Sequence, residues 1–342
     1  MNPGDASILP PAPVLVTGAG GFIGGQLTRR LLGQGGRVRV LVRSTQQATA
    51  LRALGAEPVL GDLTARAGLA EAVRECALVF HCAGWMGSPW SWEAARAVNI
   101  EGTRALAEAA AAAGVRRFVH VSSISVYGPT TAETIDEQTP LWPLGPYRAT
   151  KIGAEEAVAD VRRRGLSTVI LRPGQVFGPG DRRLSALVLR WLERGLPVLV
   201  GGGGGHCYPI YIENFNDALL LAAMSPEADG LVFNVADGDV PWREFLAYYA
   251  RMGGYPLRST PAWLVRGITL GMEAAGVLTG GPARGYRPDI GYFMRKSRYS
   301  TRQAREILGW NPRVSLEEAM GTTRAWLAAA GLLHPRDRPE SI

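Results

Sequence analysis

Along the chain, short runs of β-branched and apolar residues alternate with stretches in which apolar positions recur at helical spacing. The first run, Val14-Leu15-Val16, breaks into glycines and then resumes with helical spacing. That pattern predicts a strand, a tight turn and a helix over 26–32, closed by the glycine-rich stretch 33–36. A second strand is expected at 38–42, followed by a helix to about residue 54. The run 57–60 ends at Gly61-Asp62-Leu63, and a helix over 69–75 leads into a strand at 77–81. An alanine-rich helix over 100–113 stops at Gly114, and 117–121 is the next strand. Strands parted by helices of this size make βαβ units and a parallel sheet. Right-handed crossovers then give an α/β fold with a doubly wound sheet, its ligand over the carboxyl ends of the strands.

The glycines of the first turn have distinct uses. Gly18 makes the turn, Gly21 lets the backbone approach a pyrophosphate, and Gly24 lets the helix lie close on the sheet, with Phe22 and Ile23 between them opening the helix. Unpaired N–H groups at the helix start then face the phosphates. An ordinary strand-to-helix turn would read the same way, so the residues downstream decide. Arg43 stands at the end of the second strand, nineteen residues after Gly24, where an acid would hold a ribose 2′-hydroxyl and an arginine accommodates a 2′-phosphate. NADP(H) is therefore favoured over NAD(H), unless Arg43 is simply a solvated arginine. Asp62 and Leu63, at the end of the third strand, are placed to meet an adenine ring.

The fifth strand is followed by Val121-Ser122-Ser123-Ile124-Ser125-Val126-Tyr127-Gly128 and then Gly145-Pro146-Tyr147-Arg148-Ala149-Thr150-Lys151. Tyr147 and Lys151, four apart at the start of a helix, fall on one face. A free phenol, with a pKa near about 10, is a poor base at neutral pH, and an adjacent ammonium stabilises the phenolate. Bringing it near neutrality takes roughly 4 kcal/mol, which requires a buried, fixed geometry. Ser123 at a neighbouring strand end would hydrogen-bond the substrate oxygen and hold it within reach of the phenol.

These motifs resemble the extended short-chain dehydrogenase/reductase family, the group that includes nucleotide-sugar epimerases and dehydratases and the 3β-hydroxysteroid dehydrogenases. Thr17-Gly18-x-x-Gly21-x-x-Gly24 matches its fingerprint, Tyr147-x-x-x-Lys151 its catalytic pair, and Ser123 its catalytic serine or threonine, with Ser122 and Ser125 the neighbours to be set aside. Further matches are Val98-Asn99-Ile100-Glu101-Gly102-Thr103, the stretch from Leu171 through Arg172-Pro173 to Gly180, and Leu308-Gly309-Trp310-Asn311-Pro312. The resemblance implies a Rossmann domain with a smaller C-terminal substrate-binding lobe, and pairing as a homodimer through a four-helix interface. It also implies that Pro173 to Val176 approach the nicotinamide, that Ala83 sits beside the cofactor ribose, and that Asn99 supports the active site from behind. Residues 14–172 and 209–238 would form the dinucleotide-binding domain, and 173–208 and 239–342 the lobe. Leu231 to Val235, a strand-like run between helical stretches, agrees with that return.

The branch is read from the later chain. Sugar-nucleotide enzymes usually carry an arginine for the diphosphate where this sequence has Cys207, and Tyr211-Ile212-Glu213-Asn214 is closer in wording to the steroid-dehydrogenase side. Three tryptophans, Trp85, Trp90 and Trp92, lie in the loop after the fourth strand with Met86, and Trp142 precedes Tyr147. Either they wall a hydrophobic pocket, with Trp85, Met86 and Trp142 beside Ser123 and Tyr147 on the substrate, or they seat the loop on the next helix. Between Trp263 and Val277, Leu264, Val265, Ile268, Met272 and Ala275 recur at helical spacing, as a core-facing helix would, or a cap over the pocket that touches a membrane surface.

Composition narrows the remaining classes. The 342 residues, 46% apolar, suit one large domain or two sharing a core. Residues 1–13 lack a basic start and apolar core, and read as a flexible tail rather than an export signal. Cys76, Cys82 and Cys207 show no paired spacing, so a disulfide framework and a structural zinc site are not expected, and a reducing cytoplasm fits. The net charge of +7 comes from arginines spread along helices, without the basic and aromatic alternation of a nucleic-acid binder; cofactor phosphates or an acidic membrane surface account for the sign. No stretch is apolar enough to span a bilayer. His81, His120, His206 and His334 stand apart from one another and from carboxylate pairs, so no metal is expected; only His206, inside a glycine run, is a candidate for substrate contact.

The reading is an NADP(H)-dependent oxidoreductase, with NAD the other cofactor considered. It would interconvert a secondary alcohol and a ketone on a bulky apolar substrate, sterol-like, polyketide-like or an acyl chain, through Ser123, Tyr147 and Lys151. The alternative is a nucleotide-sugar epimerase or dehydratase with tightly bound NAD.

Overall fold

The computed structural model describes residues 10, 12–86, 91–130, 132–279 and 290–335, with the backbone alone over 272–279. Most of the tail expected at 1–13, and Trp90, lie outside the described residues. Seven parallel strands form the central sheet and are numbered here in chain order: β1 (Val14–Thr17), β2 (Val38–Val42), β3 (Glu57–Leu60), β4 (Leu78–His81), β5 (Arg117–Val121), β6 (Thr168–Pro173) and β7 (Val232–Val235). Their spatial order is β7-β6-β5-β4-β1-β2-β3. The order reverses at β1, where Thr17 pairs with Leu41 on one side and His81 on the other. A crevice at the carboxyl ends follows from that reversal, because the connections leave the sheet in opposite directions there.

Both faces of the sheet are covered, which is why its strands read as continuous apolar runs. Helices α1 (Phe22–Gly33) and α8 (Ile212–Met224) close one face around Leu27, Leu31, Phe80 and Phe215. On the other face, α3 (Leu69–Val73), α5 (Thr103–Ala112) and α6 (Pro146–Arg162) pack around Leu15, Leu106, Phe118 and Val158. Gly145, at φ +80°, and Pro146 in the first turn start α6. Ala154, Ala157, Val158 and Val161 give it the buried stripe that fixes its rotation, and hence the direction of Tyr147 and Lys151. The remaining helices of this half are α2 (Thr45–Arg52) and α4 (Trp92–Arg96).

A smaller lobe has its own core, in which Phe177 meets Leu189 of α7 (Leu184–Glu193), Phe245 and Tyr249 of α9 (Trp242–Gly253) and Leu327 of α13 (Leu316–Ala329). Short strand pairs link it together, among them Gln175–Phe177 with Pro209–Tyr211 and His206–Cys207 with Val240–Pro241. Although 239–342 is expected in the lobe, α12 (Arg302–Leu308) packs on β7 and α8. Trp310 is fully buried in the sheet-side core, its indole N–H donating to Asn214 O at 2.9 Å.

One expectation is overturned. Helix α10 (Ala262–Thr279) does not turn the predicted apolar stripe inward: Leu264 is 40% and Ile268 54% exposed, and Trp263 is 73% exposed. Val265 alone of the stripe is half-buried among the described side chains; those of Met272 and Ala275 lie outside them. The spacing is right, but among the described residues α10 meets little beyond α11 (Ile290–Met294), and these offer the stripe no core to face. Among the described residues no helix is long and apolar enough to cross a membrane.

Candidate functional site

The glycine turn is built as its spacing predicts. Gly18 has φ +73°, and a Cβ there would stand 2.7 Å from Ala83 N; a Cβ on Gly24 would stand 2.5 Å from Gly18 O. No side chain fits at either place. The turn closes with Gly21 N–H donating to Gly18 O at 2.9 Å, and α1 begins at once. Above it opens a cavity of about 330 Å³, which brings together Gly18, Gly21, Arg43, Asp62, Leu63 and Ala83. Trp85 lines it too. Arg43 is exposed at the rim. Bonds from the Thr64 hydroxyl and N–H, with Arg43 adding charge, hold the Asp62 carboxyl below its ordinary range.

Tyr147, Ser123 and Lys151 meet at the nearer end of β5. The Tyr147 side chain is hydrogen-bonded to Ser123, and burial raises its phenol while that bond and the charge of Arg183 pull it down. Ser122 points away, donating to Glu155, and the Ser125 hydroxyl has no hydrogen-bond partner among the described residues. Lys151 is 7% exposed, and its ammonium donates to Val121 O at 3.0 Å. Burial lowers it to about 8, opposed by the charge of Glu155. A Cβ on Gly84, which lines the same cavity, would stand 3.5 Å from Lys151 Nζ, so the ammonium borders the space above the glycine turn. Asn99 spends its side chain on protein partners: Oδ1 accepts from Trp85 N–H at 2.7 Å, and Nδ2 donates to Thr150 Oγ1 at 3.0 Å. It thereby ties the loop after β4 to α6. It lies in a π-helical turn, Ala97–Gly102, whose extra residue aims it inward.

A family model described as the NAD dependent epimerase/dehydratase family matches residues 14–236. The chain belongs to that family. It is accordingly an NAD(P)-dependent enzyme of the oxidoreductase type. It is 30% identical to a 2-alkyl-3-oxoalkanoate reductase of Stenotrophomonas maltophilia over 92% of this chain and 99% of that one. It is 31% identical to a UDP-glucose 4-epimerase of Mycolicibacterium smegmatis over 90% of this chain and 96% of that one. In three dimensions it resembles the UDP-glucose 4-epimerase of Thermotoga maritima, with a TM-score of 0.76 over 93% of this chain and 99% of that one; at 23% identity the likeness is one of fold.

Within this family member, other residues singled out from sequence fall less centrally. Pro173 is buried in the end of β6, and Val176 packs between the sheet core and the lobe core; neither lines the cavity. Phe22 and Ile23 also pack against the lobe core. Met86 and Trp142 are about half exposed, 48% and 51%. Trp142 lies against Gly128, where a Cβ would stand 2.5 Å from its own. His81 is a structural residue, bonded to Thr17 Oγ1 at 2.7 Å and Thr103 Oγ1 at 2.8 Å and lowered by burial to about 3. His206 pairs with Asp239 at 3.1 Å. Cys207, expected from the sequence where sugar-nucleotide enzymes carry an arginine, is fully buried in the lobe core. Among the described residues no group of three or more His, Cys, Asp and Glu could hold a metal ion.

Sequence reasoning missed Arg182 and Arg183. They border a second cavity of about 620 Å³ that shares Gly20 and Gly21 with the first and is closed by Arg29 and Trp326. Arg183 reaches across to donate to Met86 O at 2.7 Å. Asp181 was the signal that could have found them: its carboxylate accepts the N–H groups of Arg183, Leu184 and Ser185 at 3.0 Å, fixing the start of α7 and so the direction of both arginines.

Proposed function

We propose that the enzyme interconverts a ketone and a secondary alcohol on a bulky apolar substrate, with NADP(H) as its cofactor. The observation that carries this reading is the meeting of Tyr147 and Ser123 beside a Lys151 ammonium that borders the space above the glycine turn. The residues present suit a dinucleotide, because the glycine turn packs tightly against Ala83 and the start of α1 and so leaves bare backbone bordering an open cavity that also takes in Arg43 and Asp62. Gly18, Gly21 and Gly24, with Phe22 and Ile23, would hold the pyrophosphate; Arg43 the 2′-phosphate; Asp62 and Leu63 the adenine; and Ala83 a ribose. Lys151 would hold the nicotinamide ribose, with Pro173 to Val176 beside the ring and Asn99 bracing the loop. When bound, the nicotinamide supplies or accepts the hydride. In reduction, Tyr147 gives its hydroxyl proton to the substrate oxygen, Ser123 orients that oxygen, and the Lys151 charge favours the phenolate left behind.

Trp85, Met86 and Trp142 would wall the substrate side. A 2-alkyl-3-oxoalkanoate, the substrate in the relative's name, is a ketone on an acyl chain and has the chemistry this reading needs. The absence of a cation at the buried Cys207 fits an apolar substrate better than a diphosphate. A second reading, a nucleotide-sugar epimerase or dehydratase with tightly bound NAD, is favoured by Arg29, Arg182 and Arg183 around the second cavity and by the epimerase relative.

Incubation with NADPH and a ketone panel, then with UDP- and dTDP-hexoses, separates the two: net NADPH consumption with ketones is expected, and isomerised sugar without net cofactor loss would reverse the ranking. Tyr147→Phe should cut turnover at least about a hundredfold while cofactor affinity is retained. A cytoplasmic homodimer, with the exposed α10 against a membrane surface, belongs to the same proposal; sedimentation with and without anionic vesicles tests both parts.

A further inference from the structure

A network of buried polar groups runs beneath the reacting pair. Glu155 lies on α6 one turn beyond Lys151, and the side chains of Glu155 and its partner Arg172 are only 7% and 5% exposed. Arg172, at the end of β6, grips the carboxylate with two nitrogens, Nε at 3.0 Å from Oε1 and Nη2 at 2.6 Å from Oε2. The Ser122 hydroxyl, in the residue next to Ser123, donates to the same Oε1. Arg172 Nη1 donates to Tyr127 OH at 2.8 Å, which donates in turn to Asn234 Oδ1 of β7 at 2.7 Å. One carboxylate thus ties the ends of β5 and β6, and through Arg172 β7, to the helix that carries Tyr147 and Lys151.

Stability alone does not account for it, since well-packed apolar residues often replace a buried ion pair at no cost. The Lys151 ammonium gives the pair a use. Burial disfavours its charged form. The groups facing it offer no compensating anion: from β4 come His81, lowered to about 3, and, just beyond, Cys82, raised by burial to about 12. From β5 comes His120, which burial keeps neutral. Glu155 is left as the anion whose charge bears on Lys151.

We propose that Glu155 is the positioning residue of the site: it locks the strand ends that present Ser123 to the helix that presents Tyr147, and it is the counter-charge shared by Arg172 and Lys151. The role rests on the reading of Tyr147 and Lys151 as the reacting pair, but its test does not need turnover. Lys151 and Lys296 are the chain's two lysines, so the full-length protein labelled with 13C-lysine gives two side-chain signals to follow by NMR, with Lys296 as the internal control. The Lys151 signal is expected to titrate near pH 8. In Glu155→Gln its midpoint should fall by about one to three pH units. In Arg172→Gln, where Lys151 is the cation left to the carboxylate beside the Ser122 hydroxyl, it should rise. The alkaline limb of ketone reduction should move with each midpoint. If Glu155→Gln does not fold, the Arg172→Gln titration decides. A Lys151 midpoint unmoved in every variant that folds, with only the melting temperature lowered, overturns the proposal. A protein that reduces no ketone overturns the proposed function, and the lysine titration then still tests Glu155 separately.

Discussion

At the scale of single residues, the rim of the crevice carries a choice that one side chain makes. Arg43 is exposed and lines the cavity together with Asp62, whose Oδ1 already accepts from Thr64 and Ala65. An exposed guanidinium whose donors are unspent among the described residues suits a phosphate monoester, which it can meet with two parallel hydrogen bonds. Arg43→Gln is therefore expected to raise KM for NADPH by about ten- to a hundredfold while KM for NADH changes by less than about threefold. Steady-state kinetics with both cofactors checks this, and an equal loss for both would remove Arg43 from the recognition of the 2′-phosphate. Position in the sequence was enough to find Arg43, because the turn and the second strand fix its distance from the glycines. It was not enough for Arg183. That side chain matters through a contact with Met86 formed across 97 residues of chain, and no local pattern encodes such a contact.

Elements follow the same division. Six of the seven strands of the sheet, the glycine turn and α6 were legible because local rules specify them: buried parallel strands read as apolar runs, and Gly24 is the residue that lets α1 come within contact of Gly18. Strand β6 was read only as part of a family motif. Where an element's meaning depends on what lies opposite, the periodicity is ambiguous. Trp310 was legible as part of a family motif but not as a buried anchor, since its partner Asn214 sits on α8, far back in the chain. Helix α10 shows the reverse case, a core-like stripe that meets no core among the described residues. Ile268 and Leu270, 54% and 64% exposed, should then tolerate charge. Ile268→Glu and Leu270→Glu are expected to change folding stability by no more than about 0.5 kcal/mol each, whereas a core-facing position would lose several. Urea unfolding of the full chain measures the difference, and a large loss at either position would return α10 to the core. If α10 does meet a lipid surface, the same substitutions should weaken sedimentation with vesicles while leaving unfolding unchanged.

For the molecule as a whole, the buried titratable groups set how stability depends on pH, and they pull in opposite directions. His81 is lowered to about 3 by burial, and His120 is lowered by burial too, with neither ring nitrogen hydrogen-bonded among the described residues. An unfolded histidine titrates near about 6.5, so below that pH the unfolded chain binds protons that the folded chain refuses. Each histidine therefore costs stability as the pH falls from about 6.5. Asp237 acts the other way: burial raises it to about 7, although Oδ2 accepts the Tyr211 N–H at 2.7 Å. Between about 3.9 and that value the folded chain holds a proton that the unfolded chain has released, so Asp237 adds stability as the pH falls toward 4. Near pH 8 Lys151, lowered to about 8, is still only partly protonated in the folded chain and opposes the aspartate, so it is from about pH 7.5 to 6.5 that Asp237 dominates and stability should rise slightly on acidification. Below 6.5 the two histidines outweigh Asp237, leaving a net loss of about 1.4 kcal/mol per pH unit, one proton's worth, until Glu137, also raised by burial, takes up its proton and lessens the slope. Asp237→Asn cannot ionise, so it should flatten the neutral range and steepen the acid slope toward two protons. Unfolding free energies measured in urea from pH 5 to 8 for the parent and Asp237→Asn test the balance; parallel curves would mean that Asp237 ionises in the fold as it does in water.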